Sequence, residues 1–147
     1  MPAGWFHTLL LQSDGSVVAF GRNDSAAAGD APPFERLVAP DGLRYTGLAA
    51  GLYHSVLLRS DGRAVVCGNN SAGQCDVPDP PDGVRYCAAA ASEHNTVMVR
   101  SDGVAVACGG NLYGQCAVPS LMPGLRYVSA SAGPSHTALL RRIQTIA

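Results

Sequence analysis

One dipeptide recurs along this chain at a fixed interval: Arg44-Tyr45, Arg85-Tyr86 and Arg126-Tyr127 are separated by 41 residues, twice over. Ser60-Asp61-Gly62 returns as Ser101-Asp102-Gly103, Cys67-Gly68 as Cys108-Gly109, and Gly73-Gln74-Cys75 as Gly114-Gln115-Cys116, all at the same interval. A period of roughly 20–50 residues marks a repeat architecture, in which a unit buries its apolar face only against its neighbours. Residues that return in every unit are therefore first of all parts of the unit.

The copies divide the chain into units of about 4–50, 51–91 and 92–132, with a partial fourth at 133–147. The first interval, Asp14 to Asp61, is 47 residues rather than 41. Its six extra residues fall between Gly21 and Arg44, where 24–33 is a run of Ala, Asp, Gly and Pro. That composition predicts a loop insertion that leaves the frame of the repeat intact.

Each unit predicts short strands and no substantial helix. His54–Arg59 and Arg63–Gly68 are apolar runs on either side of Ser60-Asp61-Gly62, a hairpin signal with Gly at the left-handed position and Asp free to bond nearby backbone N–H groups. A third strand follows at Arg85–Ala91 in one unit and Arg126–Ala132 in the next. Its small side chains suit a place where units converge, such as the channel wall of a propeller. The expectation is three antiparallel strands per unit.

Composition excludes several functions. Net charge is −1, so neither a nucleic-acid patch nor a polybasic membrane surface has support. All ten basic residues are Arg, which removes Schiff-base and P-loop lysine chemistry from this chain. No basic and then apolar leader opens the sequence, and no run approaches the roughly eighteen apolar residues that cross a bilayer. Five cysteines, four of them at equivalent positions, suit reduced thiols in an intracellular protein, cytoplasmic or nuclear.

Every unit also contains Ser, His and Asp, the side chains of a hydrolytic triad. Asp61, however, lies a strand's length from His54, and the same trio is repeated where an active site occurs once. His7, His54 and His136, with Asn95 in the same place in the third unit, are expected to bond backbone or neighbouring units. Asp14, Asp61 and Asp102 are assigned to hairpins. Gly21, Gly68 and Gly109 are assigned to strand ends. No Cys-x-x-Cys or His-x-x-x-His spacing supports a metal, and Gly68–Gln74 lacks the Gly-Lys-Ser/Thr ending of a phosphate loop. No cofactor is expected. Trp5, Phe6, Tyr53 and Tyr113 occupy loop or strand-entry positions suited either to anchoring a protein partner or to packing between blades. Glu93-His94 is the acid–imidazole pair confined to one unit. As adjacent strand residues their side chains are expected to point apart, which leaves an active site there little support, and Glu93 is instead a candidate partner contact.

The pattern Gly-x-x-His-(Ser/Thr)-x-x-Leu-x-Ser-Asp-Gly, then (Cys/Phe)-Gly-x-Asn and Gly-Gln, resembles the repeats of the regulator of chromosome condensation superfamily. The resemblance runs from Gly4 to about Arg141, and the short period is similar to the blades of the type II β-lactamase inhibitor protein. It implies an all-β, partial propeller of about three three-stranded blades plus one extra strand. Complete members have seven blades, so the chain is expected to be a fragment of a longer array, with self-assembly through exposed blade edges as the alternative. The implied function is a non-catalytic protein-interaction module, such as a ubiquitin-ligase targeting or GTPase-regulating domain. The alternatives are nucleotide exchange on a Ran-like GTPase, or a propeller enzyme or lyase.

Overall fold

The computed structural model describes residues 4–21 and 34–144. The insertion expected at 24–33 lies outside the described residues. Eleven strands are described: β1 His7–Leu11, β2 Val17–Gly21, β3 Phe34–Leu37, β4 Tyr45–Ala50, β5 His54–Arg59, β6 Ala64–Gly68, β7 Tyr86–Ala91, β8 Asn95–Arg100, β9 Ala105–Gly109, β10 Leu125–Ala132 and β11 Thr137–Ile143. No helix among the described residues is long and apolar enough to cross a membrane.

The strands form four antiparallel sheets, ordered β1-β2-β3, β4-β5-β6, β7-β8-β9 and β10-β11. The expected strands are present, but the Arg-Tyr strand belongs elsewhere. β7 pairs with β8, the strand that follows it, and not with β5 or β6. Every sheet after the first thus straddles the boundary between two sequence units, and the extra strand at the C-terminal end, β11, pairs with β10 as a two-stranded sheet. The first sheet gains an outer strand, β3, from Phe34-Glu35-Arg36-Leu37, a short alternating run that the repeat does not contain.

The sheets stack as blades, β4 against β1, β7 against β4 and β5, and β10 against β7 and β8. The core accordingly lies between sheets. Leu9, Val17 and Ala19 pack with Tyr45 and Leu57 across the first interface; Val56 and Leu58 pack with Tyr86 and Met98 across the second; Val99 and Ala105 pack with Tyr127 across the third. Covering on both faces explains why five consecutive residues of β5 and of β8 are buried, against the usual period of two. β11 is covered on one face only, and Leu140 and Ile143 stand exposed.

β4, β7 and β10, which open the last three sheets and are the inner strands of the stack, are each bulged at one place, after Tyr45, Tyr86 and Tyr127. The extra residue there bends the strand and raises its twist, as a bulge does.

Candidate interaction face

The two ends of the stacked sheets differ in kind. One end carries the Ser-Asp-Gly hairpins, and its repeated residues fasten one blade to the next. The backbone N–H groups of Tyr45, Tyr86 and Tyr127 donate to the carbonyls of Gly15, Gly62 and Gly103, the hairpin glycines of the preceding blade, at 2.8–2.9 Å. Arg85 also donates from its backbone to Ser101 Oγ of its own hairpin (3.0 Å) and from Nη2 to the Ser60 carbonyl of the preceding one (2.5 Å). Tyr86 and Tyr127 donate their hydroxyls to the carbonyls of Pro78 and Pro119 at 2.6 and 2.7 Å. The recurring Arg-Tyr is therefore a joint.

Asp61 and Asp102 accept the backbone N–H of Arg63 and Val104 and pair with Arg59 and Arg100. Those guanidinium hydrogen bonds hold both carboxyls below the usual carboxylate range. Asp14 is lowered to about 2, mainly by the hydroxyl and backbone N–H of Ser16, with Arg36 adding to it.

At the other end, His7 Nε2 lies 2.9 Å from Ser55 Oγ, and His54 Nε2 lies 2.8 Å from Thr96 Oγ1, each on the following blade. Thr96 donates its own hydroxyl to the Gln74 carbonyl (2.7 Å), so His54 is the donor to Thr96 and carries its proton on Nε2. Asn95 Nδ2 donates across the next interface to Thr137 Oγ1 at 3.4 Å. His54 is fully buried, and burial with the nearby His7 and His94 lowers it to about 4.

The His7–Ser55 contact has two members of a hydrolytic trio but not the third. Both residues are buried, and His7 Nδ1 has no hydrogen-bond partner among the described residues. Asp61 lies at the far end of β5. Among the described residues no three His, Cys, Asp or Glu side chains are placed to hold a metal ion.

Trp5, Phe6, Tyr53, Glu93 and Tyr113 all lie at this second end, since His7, Gly21, His54, Gly68, Asn95 and Gly109 are paired there. The structure brings some of them together. Phe6 and Tyr53 stack with ring centroids 5.5 Å apart. Trp5, 77% exposed, and Glu93 line one cavity of about 160 Å3 between the ends of the inner strands. Tyr113 stands apart on the loop after β9, beside the nearly bare Leu112, and lines a cavity of about 250 Å3 against β11 with His136. Glu93 and His94 precede β8 in a bend, so they do not point apart as adjacent strand residues would; Glu93 Oε1 lies 3.5 Å from His94 Nε2. Sequence reasoning missed Leu112, and it missed Ser92, which stands where three units have Gly.

Residues 3–26 and 45–74 match the family model of the regulator of chromosome condensation (RCC1) repeat. The crystal structure of Prp20p from Saccharomyces cerevisiae superposes with a TM-score of 0.79 at 21% identity, over 95% of this chain and 42% of that one. Human WBSCR16 superposes with a TM-score of 0.74 at 16% identity, over 93% of this chain and 42% of that one. No curated protein sequence matches the chain. It spans about two fifths of those solved structures, at 42% of each. Two stretches of this chain thus match regulator of chromosome condensation repeats, and its sheets have the fold of the propeller blades in those solved structures.

Proposed function

We propose that this chain is a protein-interaction module, part of a larger propeller, that meets its partner with the end carrying Trp5, Phe6, Tyr53, Glu93 and Tyr113. The exposure of Trp5, Leu112 and Tyr113 at one end supports this most directly. Large aromatic and aliphatic groups that face water on a rigid scaffold are the usual anchors of protein interfaces. The hairpin end, by contrast, uses its repeated side chains on its own joints. Prp20p was described together with its binding to Gsp1p and histones, and with Kap60 bound, which supports a protein partner inside the cell.

A photoreactive phenylalanine derivative placed at Trp5 or Tyr113 should cross-link one discrete protein in cells, and the same group at Arg63 or Val104 should not. Adducts from the hairpin end alone, or equally from both ends, would overturn the reading.

The second reading is nucleotide exchange on a Ran-like GTPase, favoured by the likeness to Prp20p. At 42% of that chain's length, this chain presents less than half of such a propeller, and nucleotide release from a Ran-like GTPase should not accelerate in its presence. Acceleration would favour the second reading.

A further inference from the structure

The cavity that Trp5 and Glu93 share is built from one position of the repeat, taken four times. Trp5, Leu52, Glu93 and Pro134 are equivalent residues, and all four line it, over a floor that includes Ala50 and Ala91 at the ends of the inner strands. Three of the four are apolar and the fourth is a carboxylate. The Leu52 backbone N–H donates to the Ser92 carbonyl at 3.1 Å, which ties two walls of the cavity together.

Charge is divided between the two ends. Every arginine among the described residues, from Arg36 to Arg142, lies at the hairpin end or along the strands leading to it. The described acidic groups at the loop end are Glu93 and Asp76, and Asp76 is engaged by Asn70 (2.8 Å). The other titratable group beside Glu93 is His94. The mouth of the cavity therefore combines an exposed indole, an apolar wall and a half-exposed carboxylate, with no guanidinium among the described residues to neutralise it.

Size narrows the occupant. About 160 Å3 holds about five waters at liquid density and falls below the range of about 300–1,000 Å3 typical of small-molecule pockets. It suits one long side chain. We propose that this mouth receives a basic side chain of a protein partner, arginine before lysine: its stem lies along Leu52 and Pro134, its cationic head meets Glu93, and the Trp5 ring covers it. An arginine head stacks on an indole face and pairs with a carboxylate in one geometry, whereas an ammonium is a point charge that holds its water more tightly. The proposal rests on the reading of this end as the partner-binding face.

Trp5 is the one tryptophan of the chain, so its emission reports on the cavity directly. The full chain is titrated with the blocked tripeptide Gly-Arg-Gly, and in parallel with its lysine and citrulline counterparts, citrulline being the neutral analogue of arginine. The expected result is a saturable change with the arginine peptide, weaker with lysine, and weaker by about fivefold or more with citrulline. Glu93→Gln should reduce arginine to the citrulline level while leaving the circular dichroism spectrum and the urea midpoint unchanged. Equal responses to arginine and citrulline, no saturable response, or arginine binding that Glu93→Gln leaves intact would each overturn the proposal. Cross-linking from Tyr113 to a discrete protein, with no arginine response, would sink this inference alone. Loss of both would sink the interaction face with it.

Discussion

Ser92 donates its hydroxyl to the side-chain oxygen of Asn95, three residues on. The other units place a histidine over a bare glycine at these two positions. In the second unit a methyl group on Gly51 would stand 2.4 Å from Cε1 of the His54 ring, too close for any side chain. A side chain at 92 and a smaller, non-aromatic residue at 95 are two halves of one exchange. Asn95→His alone should drive an imidazole into Ser92, and overpacking of this kind costs about 1–3 kcal/mol. Adding Ser92→Gly should recover most of that loss. A double-mutant cycle from urea denaturation should show coupling of at least about 1 kcal/mol; additive effects would mean that the two side chains do not compete for the same space.

Stability should fall in mild acid because of His54. Its folded value is about 4 against 6.5 for a free imidazole, chiefly through burial. Between those values the unfolded chain takes up a proton that the folded chain refuses. The contribution is full above pH 6.5, falls as pH drops toward 4, and is worth about 3 kcal/mol across that window. His7 is lowered by burial in the same direction. Denaturation midpoints at pH 7.5 and 4.5 measure the slope, and His54→Asn should flatten it. The paired Asp61 and Asp102 act in a separate, lower window, with stability present above 3.8 and lost as pH falls through their depressed values.

Gly62 is fixed by two constraints that Gly42 does not share. Both have positive φ, +88° and +72°, but a methyl group at Gly62 would meet the Arg85 stem at 2.8 Å while one at Gly42 meets nothing within 4 Å. Gly42→Ala should cost the left-handed conformation alone, about 1–2 kcal/mol. Gly62→Ala should cost that plus about 1–3 kcal/mol for the displaced arginine. Thermal melts of the two variants isolate the joint, and equal losses would mean that the arginine stem contributes nothing to it.

One thiol should react well before the others. Cys87 is exposed at the bulge of β7. Burial pushes Cys75 and Cys116 up and carries Cys108 to about 11, with Cys116, Asp76 and Cys75 adding to the latter. Thiolate, not thiol, is the nucleophile. An aromatic disulfide reagent at pH 8 should titrate one equivalent rapidly, and Cys87→Ser should remove that phase. A fast phase that survives the substitution would place the reactive thiol elsewhere.

A period fixes the contents of a repeat but not where the repeat begins. The run of strands reads identically whether Arg85–Ala91 closes one unit or opens the next, and only hydrogen bonding between strands decides. β7 pairs forward with β8, so the sheets are offset from the units that the recurring Gly-x-x-His suggests. The hairpins were legible because Ser60-Asp61-Gly62 has its own local chemistry. The location of the proposed partner face was legible in part: Trp5, Tyr53 and Tyr113 fall at strand entries or loops in the pattern, and register places them at one end. The stacking of Phe6 on Tyr53 and the shared cavity of Trp5 and Glu93 depend on residues 47 and 88 positions apart, which no local pattern joins. Glu93-His94 was misjudged because the alternation of a strand was applied to a bend.

The joints carry a further consequence for how such a chain changes length. Tyr45 bonds the Gly15 carbonyl as Tyr86 bonds that of Gly62, and His7 reaches Ser55 as His54 reaches Thr96. Excising Tyr45 through Arg85, 41 residues, would bring Arg44 directly before Tyr86 and offer Gly15 and His7 equivalent partners one blade further on. Crossing-over between units can thus add or delete a blade without redesigning a contact, and blade number is free to drift while the geometry of each junction is inherited intact.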